Sequence, residues 1–551
     1  MKKNILRIVP LGGLGEIGRN MTVYEFDGKI LVIDAGIMFP LNSMLGIDYI
    51  IPDMSYLIQR KKDVVGVVFT HGHEDHIGAV QYLVEEIHAP LYATGLTRGL
   101  IEVKLARKGL LDKVELYTVE AGEQINIGPF TVDFFHVSHS IPDAVGLAID
   151  TPAGLVVHTG DYKFDQTPVD NWPTDFAALA HFSERGVMAL LSDSTNAEEK
   201  GWTPSEQVIY EALEQVFIEA KGRIIIASFA SLISRMQQVA NIAMKFNRKL
   251  AFAGMSMVDN SKMARTLGYL DIPDELLVTL DQALNMKDSK VVIMCTGSQG
   301  EPTSIMGRLS MGRNRQFDIE PGDTIVLSSH TIPGNEESVY RTINRLIERG
   351  ANVIYEHILP VHVSGHASQE EMKLMLNLVK PKYLIPLHGE LRHLTAQARL
   401  GYEMGIPKDH IAVIENGQVV EFEDGVMYMA SSEPYSYIFV DGRGVGDVGE
   451  DVVRDRETLG KDGVMFIHMI LDQKGHLLDD KIGVQSFGFM LEDEAESTMN
   501  EVRKRIIKFL QEKHNPNMDL ERAVVKISKN YIFNEIRRRP RIMVSIHELE
   551  I

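Results

Sequence analysis

The sequence predicts an α/β protein of several domains, in which packed sheets covered by helices are followed by a parallel α/β domain. From about residue 5 to 194, short apolar runs alternate with turn signals, a pattern typical of packed sheets. Between about residues 201 and 360, strands alternate with helices, which indicates a parallel sheet. After about residue 463, a strand, a long helix, and a further helix and strand predict a small α+β domain.

The first region contains clear strand signals. Met21–Phe26 and Lys29–Ile33 flank Asp27-Gly28, a typical two-residue hairpin turn. Val64–Thr70 is an almost continuous apolar run, which predicts a buried strand, and a helix is predicted at Gly78–Ile87. Further strands are predicted at Phe130–His136, Gly154–His158 and Val187–Ser192.

The second region predicts strands and helices in alternation. The predicted strands are Arg223–Ser228, Lys249–Ala253, Lys290–Cys295, Thr324–Ser329 and Asn352–Glu356. Helices are predicted at Leu232–Asn247 and Ser338–Gly350, and a strand follows at Tyr383–Leu387. From about Gly444 to Gly463, glycine and charged residues predominate, which predicts a linker.

Composition restricts the compartment and the partners. The chain has one cysteine, no apolar run long enough to span a bilayer, and no signal-peptide pattern at its start. We therefore expect a cytoplasmic protein without a membrane partner. The 56 basic and 76 acidic residues give a net charge of −20, which counts mildly against a nucleic-acid partner. Bound divalent metals would offset this charge locally.

The segment after the predicted strand Val64–Thr70 concentrates metal-ligand side chains. His71, His73, Asp75 and His76 fall within six residues. Imidazole suits zinc and other first-row metals, and a carboxylate adds a harder ligand. The spacing allows two ligand sets, one with His71 and His73 and one with Asp75 and His76.

Four residues cannot complete two metal sites, so further ligands are required. His139, Asp161 and His388 each lie just beyond a predicted strand, where ligands gathered at one edge of packed sheets would lie. The alternative for each, taken singly, is a structural or surface residue. Together with the first cluster, they complete two sites.

These motifs resemble a known family. The metallo-β-lactamase fold has similar motifs to His71–His76, His139, Asp161 and Asp34. Its β-CASP nuclease branch has similar motifs to Ser192–Thr195, Ser364–His366 and His388–Glu390. Within that branch, the chain resembles the bacterial ribonuclease J family at Pro10–Asn20 and His362–Ser368, and the resemblance covers essentially the whole chain.

The resemblance implies a metallo-β-lactamase αββα sandwich with an inserted β-CASP domain and a small α+β C-terminal domain. The first part of the sandwich would span residues 1–205, the insertion 206–360, and the second part 361–445. A linker would occupy residues 446–462 and an oligomerisation domain residues 463–551. Because the C-terminal domain of this family self-associates, we expect a homodimer or homotetramer, with other RNA-decay proteins as further partners.

The resemblance also implies two divalent metal ions, for which zinc is favoured and manganese also suits the ligands. One metal would be held by His71, His73 and His139. The second would be held by Asp75, His76 and His388, with Asp161 bridging the two. Asp193 would orient a histidine ligand, and Asp34 would support the ligand loop.

The expected reaction is hydrolysis of RNA phosphodiester bonds. Two metals about 3.5–4 Å apart can bridge a hydroxide and make it a nucleophile near neutral pH. The residues expected to act with them are Asp75, Asp193 and His366. His366 is the candidate that protonates the leaving 3′ oxygen, and the alternative is a hydrogen-bonded loop histidine.

A phosphate pocket is predicted beside the metals. Its candidate residues are His362, Val363, Ser364, Gly365 and His366, with Ser228 and Ser231 before a predicted helix. N-capping is the alternative for Ser231 and for Ser368. In the ribonuclease J family this region holds a 5′ phosphate, which implies 5′-to-3′ exonuclease activity on 5′-monophosphorylated single-stranded RNA beside endonuclease activity. Such an enzyme would serve rRNA processing and mRNA decay.

Other interpretations remain open. The alternatives are a DNA-processing nuclease of the same branch, a small-molecule lactonase or thioesterase, and a non-enzymatic RNA-binding scaffold. The large insertion argues against a small substrate, and His388 resembles the RNA-acting members. A structural hard-cation site at Asp48 and Asp441 is a further prediction. Gly13–Gly18 matches a dinucleotide fingerprint, but a hairpin rather than a helix is predicted to follow it.

Overall fold

The computed structural model describes residues 4–332, 335–472, 476–478, 482–512 and 519–549, and the gaps lie in the predicted first, inserted and C-terminal domains. The chain divides into two compact units. The first unit is Met1–Phe39 with Tyr49–Ile438, and the second is Pro40–Asp48 with Phe439–Ile551. Among the described helices, none is long and apolar enough to cross a membrane.

Two sheets form the centre of the first unit. The strands of the eight-stranded sheet are, in spatial order, Val426–Met429, Val420–Glu423, Ile5–Gly12, Met21–Phe26, Lys29–Ile33, Val64–Val68, Leu91–Ala93 and Leu116–Thr118. Those of the six-stranded sheet are Tyr383–Leu387, Val187–Asp193, Gly154–His158, Val145–Thr151, Phe130–His136 and Gln124–Ile127. One core joins both sheets, since Leu6, Ile8 and Leu31 cluster with Phe130 and Val132.

Helices cover the outer faces of this pair of sheets. Gly95–Lys108 packs beside the edge strands of the eight-stranded sheet. On the other side, residues of helices Phe176–Arg185, Gln369–Val379 and Leu391–Glu403 form a second core with the six-stranded sheet. The remaining helices and strand of this part are Ser55–Gln59, Glu74–Ile77, Val80–Glu86, Leu111–Lys113, Lys408–His410 and Tyr49–Ile51. The predicted αββα sandwich is confirmed.

The insertion is a five-stranded sheet in which all strands are parallel. Its spatial order is Lys249–Ala253, Val291–Cys295, Ile224–Ala227, Thr324–Leu327 and Asn352–Ile354. The helices of this part are Gln207–Glu219, Ile233–Lys245, Met255–Thr266, Leu280–Leu284, Asp288–Lys290, Ile305–Ser310 and Glu336–Glu348. The predicted parallel α/β insertion is confirmed.

The second unit contains a three-stranded sheet with helices on one face. Its strands are Gly483–Phe487, Val464–Asp472 and Arg541–Leu549, and helices Glu492–Gln511 and Leu520–Ile536 pack against them. A short hairpin pairs Ile438–Asp441 with Gly444–Val445. The α+β class predicted for this part is confirmed.

The segment predicted as a linker contains the helix Glu450–Asp462, with Gly449 before it and Gly463 after it. Acidic residues occupy its first turn and Lys461 its last turn, which suits the helix dipole. Val453 is its single buried residue. This helix was not predicted, because a solvent-exposed helix between two glycines has the same charged composition as a linker.

Candidate metal centre

The loop that follows strand Val64–Val68 is fixed by a buried carboxylate. Asp34 adopts a left-handed backbone conformation, with a φ of 64°. Its side chain accepts hydrogen bonds from the backbone N–H of Thr70 at 2.8 Å and from the Thr70 hydroxyl at 2.9 Å. His76 Nδ1 donates to Asp34 Oδ2 at 2.8 Å, because a carboxylate can only accept. Asp34 therefore orients His76, whose other ring nitrogen, Nε2, lies 3.0 Å from Asn20 Nδ2 and 3.2 Å from Asp161 Oδ2.

A glycine allows this loop to approach the rest of the sheet. A Cβ atom on Gly36 would lie 1.6 Å from the carbonyl oxygen of Asp75, so a larger residue would displace the loop. The backbone and side-chain N–H groups of Asn20 donate to the same carbonyl at 3.0 and 3.1 Å. Asp75 is thus held by residues far away in the chain.

The first group of ligand atoms consists of His71, His73 and His139. His73 Nδ1 lies 3.1 Å from His71 Nε2 and 3.1 Å from His139 Nε2. Burial lowers the pKa of His73 to about 4 and holds the pKa of His71 and His139 well below the usual range. His139 Nδ1 donates to the carbonyl oxygen of Gly365 at 2.7 Å, which leaves its Nε2 lone pair directed at the group.

The second group consists of Asp75, His76, Asp161 and His388. His76 Nε2 lies 3.2 Å from Asp161 Oδ2, and His388 Nδ1 lies 3.2 Å from Asp161 Oδ1. His388 Nε2 lies 3.3 Å from Asp75 Oδ2. Burial opposes ionisation of Asp161, but His388 and His76 outweigh it and hold the pKa of this carboxyl well below its usual range. Asp161 Oδ2 is also 3.6 Å from His71 Nε2, so this carboxylate faces both groups.

The residues present fit a pair of divalent cations. Four-coordinate zinc with Zn–N bonds of about 2.0–2.1 Å places its ligand atoms roughly 3.3 Å apart, close to the separations in both groups. His388 Nε2 is buried and has no hydrogen-bond partner among the described residues, although it faces a carboxylate. Imidazoles and ionised carboxylates facing one another are the donor set that zinc and similar metals take.

A third group adjoins the second and centres on Asp193, with His366, Asp161 and His388. His366 Nδ1 donates to Asp193 Oδ2 at 2.8 Å, whereas His388 Nδ1 lies 3.6 Å from Asp193 Oδ1. The hydroxyl of Thr195 also donates to Asp193 Oδ1, at 2.7 Å. The sequence analysis expected Asp193 to orient a metal-ligating histidine. Its shortest histidine contact is with His366.

Four stretches of the chain match known protein families. Residues 14–197 match the metallo-beta-lactamase superfamily, and residues 221–346 match the beta-CASP domain of ribonuclease J. Residues 351–412 match the Zn-dependent metallo-hydrolase RNA specificity domain, and residues 451–549 match the ribonuclease J C-terminal domain.

Curated relatives extend this similarity over full length. Ribonuclease J2 of Bacillus subtilis is 41% identical over 554 residues, which cover 100% of both chains. The chain belongs to the ribonuclease J family. Ribonuclease J 1 of Streptococcus pyogenes is 39% identical over 98% of each chain. Ribonuclease J of Synechocystis is 42% identical over 86% of this chain and 74% of that one.

A crystal structure of an Enterococcus faecalis protein of unknown function shares the fold alone. It matches 76% of this chain and all of its own, with a TM-score of 0.53 and 16% identity.

Membership of the ribonuclease J family makes the chain a metal-dependent, RNA-binding hydrolase that acts on phosphodiester bonds.

In this family member, part of the predicted phosphate loop lies against the metal ligands. A Cβ atom on Gly365 would be 2.7 Å from the ring of His139, so only glycine fits there. Asn196 Nδ2 donates to Ser364 Oγ at 2.8 Å and to the His366 carbonyl at 3.1 Å. Ser364, Gly365 and His366 are thus held at the edge of the metal centre.

The other predicted phosphate residues lie in two places. Ser228 and Ser231 line a cavity of about 370 Å³ together with Gly72, which separates His71 from His73. Val363 is buried, and the ring of His362 faces His330 with centroids 6.2 Å apart. In the described part of the chain, neither His362 nor Val363 forms a hydrogen bond or an ion pair with a candidate metal ligand.

N-capping was the alternative role for Ser231 and Ser368, and it explains Ser368 alone. Ser368 begins helix Gln369–Val379 in a capping box with Glu371. By contrast, helix Ile233–Lys245 has Leu232 at its N-cap and no side-chain capping bond. Ser231 therefore does not cap this helix.

The predicted structural cation site receives no support. Asp48 Oδ2 accepts the backbone N–H of Gly442 at 2.8 Å, and Asp441 Oδ2 pairs with Arg456 at 2.6 Å. Within the ranges that the structure describes, neither aspartate belongs to a group of three candidate ligands. One oxygen of each carboxylate contacts a protein donor, which sequence alone could not reveal.

Asn20, Thr195 and Asn196 support the centre but were given no role from the sequence. Asn20 and Thr195 lie inside segments that carry the family resemblance, and Asn196 directly follows one of these segments. Their residue types are common in loops, however, and only their contacts with Asp75, Asp193 and Ser364 distinguish them.

Proposed function

We propose that this protein both cuts RNA internally and removes nucleotides in the 5′-to-3′ direction from a monophosphorylated end. The observation that carries the proposal is the convergence of two ligand groups on one carboxylate, Asp161. Single-stranded RNA is the substrate, and we place the reaction in the cytoplasm, in rRNA processing and mRNA decay.

Two divalent metal ions are assigned to these groups, with zinc favoured and manganese as the alternative. His71, His73 and His139 would hold one, and Asp75, His76 and His388 the other, with Asp161 shared. Bound metals would supply Lewis-acid polarisation of the phosphate and a water acidic enough to attack near neutral pH.

The protein's own groups would manage the leaving oxygen. His366 donates through Nδ1 to Asp193, so its Nε2 is free to face substrate. A protonated imidazole in this position would give its proton to the departing 3′ oxygen. Asp193 would act by fixing the ring, and Asn196 by fixing the loop that carries it.

Exonuclease action requires a pocket for the terminal phosphate. The hydroxyl of Ser364 lies two residues from His366, and its loop contacts His139 through Gly365. Ser228 and Ser231 line the cavity that reaches Gly72. Neutral hydroxyls beside a metal centre suit a phosphate oxygen, which supports a terminal-phosphate pocket here.

The test pairs metal analysis with product sizing. Purified protein should contain about two divalent ions per chain, and chelation should abolish cleavage until zinc or manganese is restored. RNA labelled at its 5′ monophosphate should release labelled mononucleotide, and circular RNA should be opened. Product release from the 3′ end, or cleavage that persists after chelation, would refute the proposal.

We further propose that residues 463–551 assemble the chain into a homodimer or homotetramer. The domain boundaries that we propose are those predicted from the sequence, with the sandwich at residues 1–205 and 361–445, the insertion at 206–360 and the linker at 446–462. The sheet of the second unit carries Phe466, Phe487 and Met543 on the face opposite its buried core. These side chains are exposed by 38%, 62% and 53%. An open apolar sheet face of this kind suits a second copy.

Light scattering tests the assembly. Phe466→Glu combined with Met543→Glu should reduce the mass toward that of the 61.7 kDa monomer. Met429→Glu, a change at another exposed methionine, is the control. A smaller assembly for the control alone would contradict the assignment, as would an unchanged mass for the double variant.

A further inference from the structure

Two cavities adjoin in the first unit, between helix Gly95–Lys108 and the inserted domain. The smaller one, of about 370 Å³, is the cavity that contains Ser228 and Ser231. The larger one, of about 1150 Å³, lies over the inserted domain, and we call it the outer groove. Arg107, Ser256 and Thr296 line both. The two cavities are therefore adjacent, and together we call them the path, which begins beside the metal-ligand loop.

The walls of this path are basic, although the whole chain has a net charge of −20. Its six basic residues are Lys104, Arg107, Lys108, Lys262, Arg265 and Arg308, and its three acidic residues are Glu74, Asp259 and Glu301. Burial raises the pKa of Glu301, which weakens one of the negative charges. The path is thus a locally positive region on an acidic protein, as a polyanion requires.

Some of these cations are already paired and others are free. Arg107 and Asp259 form an ion pair of 2.6 Å at the junction of the two cavities. Lys104 pairs with Glu74 at 2.6 Å, and Arg265 pairs with Asp274 at 2.5 Å. Lys262 is exposed on helix Met255–Thr266, and its side chain has no ion-pair or hydrogen-bond partner in the described ranges. A negatively charged ligand in the outer groove would meet this ammonium group directly.

Apolar side chains lie beside the cations in the outer groove. Met255 is 73% exposed and Val258 is 44% exposed, and both line it. Leu280 lines its wall as well. Cations next to exposed apolar surface suit single-stranded nucleic acid, whose phosphates and unpaired bases present the two matching surfaces.

We propose that the outer groove binds the single-stranded RNA that lies 5′ of the cleavage site during internal cutting. The inference rests on the proposed function, which puts a terminal phosphate at Ser228 and Ser231. A monophosphorylated end stops in the smaller cavity, whereas an RNA that is cut internally has a leader, which continues past it into the outer groove. The groove thus serves internal cleavage and is dispensable for trimming from the end.

The test neutralises two cations of the outer groove, with Lys262→Ala and Arg308→Ala in one protein. The matched control neutralises Lys62 and Lys221, two exposed lysines that line neither cavity. Substrates are 5′-hydroxyl RNAs with leaders of about 2 nucleotides, which is shorter than the site sizes of single-strand-binding grooves, or about 12 nucleotides, which is within them. A 5′-monophosphorylated RNA without a leader is followed in a single turnover.

The longer leader should raise kcat/KM for internal cutting by wild-type protein. The double variant should lose about tenfold on this substrate, and its salt dependence should fall by roughly 1.4 in log–log slope, the value for two phosphate contacts on a single strand. Single-turnover trimming and the control protein should stay near wild type. Equal losses of activity in internal cutting and in trimming would overturn the proposal. A defect confined to multiple-turnover trimming would also overturn it, because such a defect indicates that the groove is a path for released nucleotides.

A crosslinking measurement separates this inference from the proposed function. RNA with 4-thiouridine in the long leader is irradiated with chelated, full-length wild-type protein, and the attachment site is mapped. Crosslinks to helix Met255–Thr266 support the groove, and their absence overturns it. If wild-type protein fails to cut internally, the endonuclease part of the proposed function is refuted, and the crosslink alone decides where the leader binds.

Discussion

The sandwich and the inserted domain both present polar side chains at the carboxyl ends of parallel strands, and the two sets differ in charge. In the sandwich, strands Gly154–His158, Val187–Asp193 and Tyr383–Leu387 are parallel neighbours. They deliver Asp161, Asp193 and His388, all less than 5% exposed. These strand ends therefore gather buried ionisable groups at one edge.

The corresponding strand ends of the inserted domain carry small neutral groups. Ser228 follows Ile224–Ala227, Thr296 follows Val291–Cys295, and Ser328 follows Thr324–Leu327. Charged ligands hold cations, whereas hydroxyls and backbone N–H groups suit phosphate oxygens. Under the proposed function, the same strand-end geometry would serve metal binding in the sandwich and phosphate binding in the inserted domain, and residue type would decide between them.

The largest effect is expected at the charged set. His73→Ala removes a ligand that touches both other imidazoles of the first group, so RNA cleavage should fall by more than about 100-fold, beyond the loss typical of supporting residues. Metal content and kcat/KM measure this loss. His181→Ala, at a histidine that is 65% exposed, is the control. Full turnover by the His73 variant would break the assignment of the sandwich edge to metal.

A smaller effect is expected where a carboxylate only orients an imidazole. Asp193→Asn keeps the shape of the side chain but places an N–H or a neutral oxygen against His366 Nδ1. Activity should fall about 10–100-fold while metal content stays near that of wild type. Loss of metal in parallel with activity would show instead that Asp193 supports His388.

Local sequence features explain how much of this could be predicted. Lys249–Ala253 and Tyr383–Leu387 were predicted to the residue because each is a mainly apolar run with clear ends. The cluster His71–His76 was visible because its ligands are adjacent in the chain. The pairing of Asp193 with His366 joins residues 173 positions apart, and no local pattern encodes that contact.

Structure was hardest to predict from the sequence where residues are exposed or are already paired with another side chain. The helix Glu450–Asp462 has one buried side chain, and its sequence contains few apolar residues. Asp441 looks like a free hard ligand in sequence, but Arg456 occupies its carboxylate. Burial and pairing are three-dimensional properties, and composition cannot supply them.

The phosphate-directed serines should show moderate and selective effects. Ser364→Ala leaves Asn196 a second acceptor, the carbonyl of His366, so the loop should stay in place. Loss of a hydrogen bond to a charged phosphate should reduce trimming of 5′-monophosphorylated RNA about tenfold. Opening of circular RNA, which has no end, should change less than about twofold. Similar losses on both substrates would mean that Ser364 serves the metal centre rather than an end-binding pocket.

The smallest effect is expected at Ser231, which sharpens the contrast between a structural serine and a ligand-binding one. Its side chain does not cap helix Ile233–Lys245, so Ser231→Ala should leave the Tm of the protein unchanged. If the hydroxyl meets the terminal phosphate, KM for 5′-monophosphorylated RNA should rise about threefold with little change in kcat. Ser368→Ala is the matched comparison, because it removes a capping box and should lower stability by about 1 kcal/mol. A lower Tm for Ser231→Ala with unchanged KM would place this serine with the structural group.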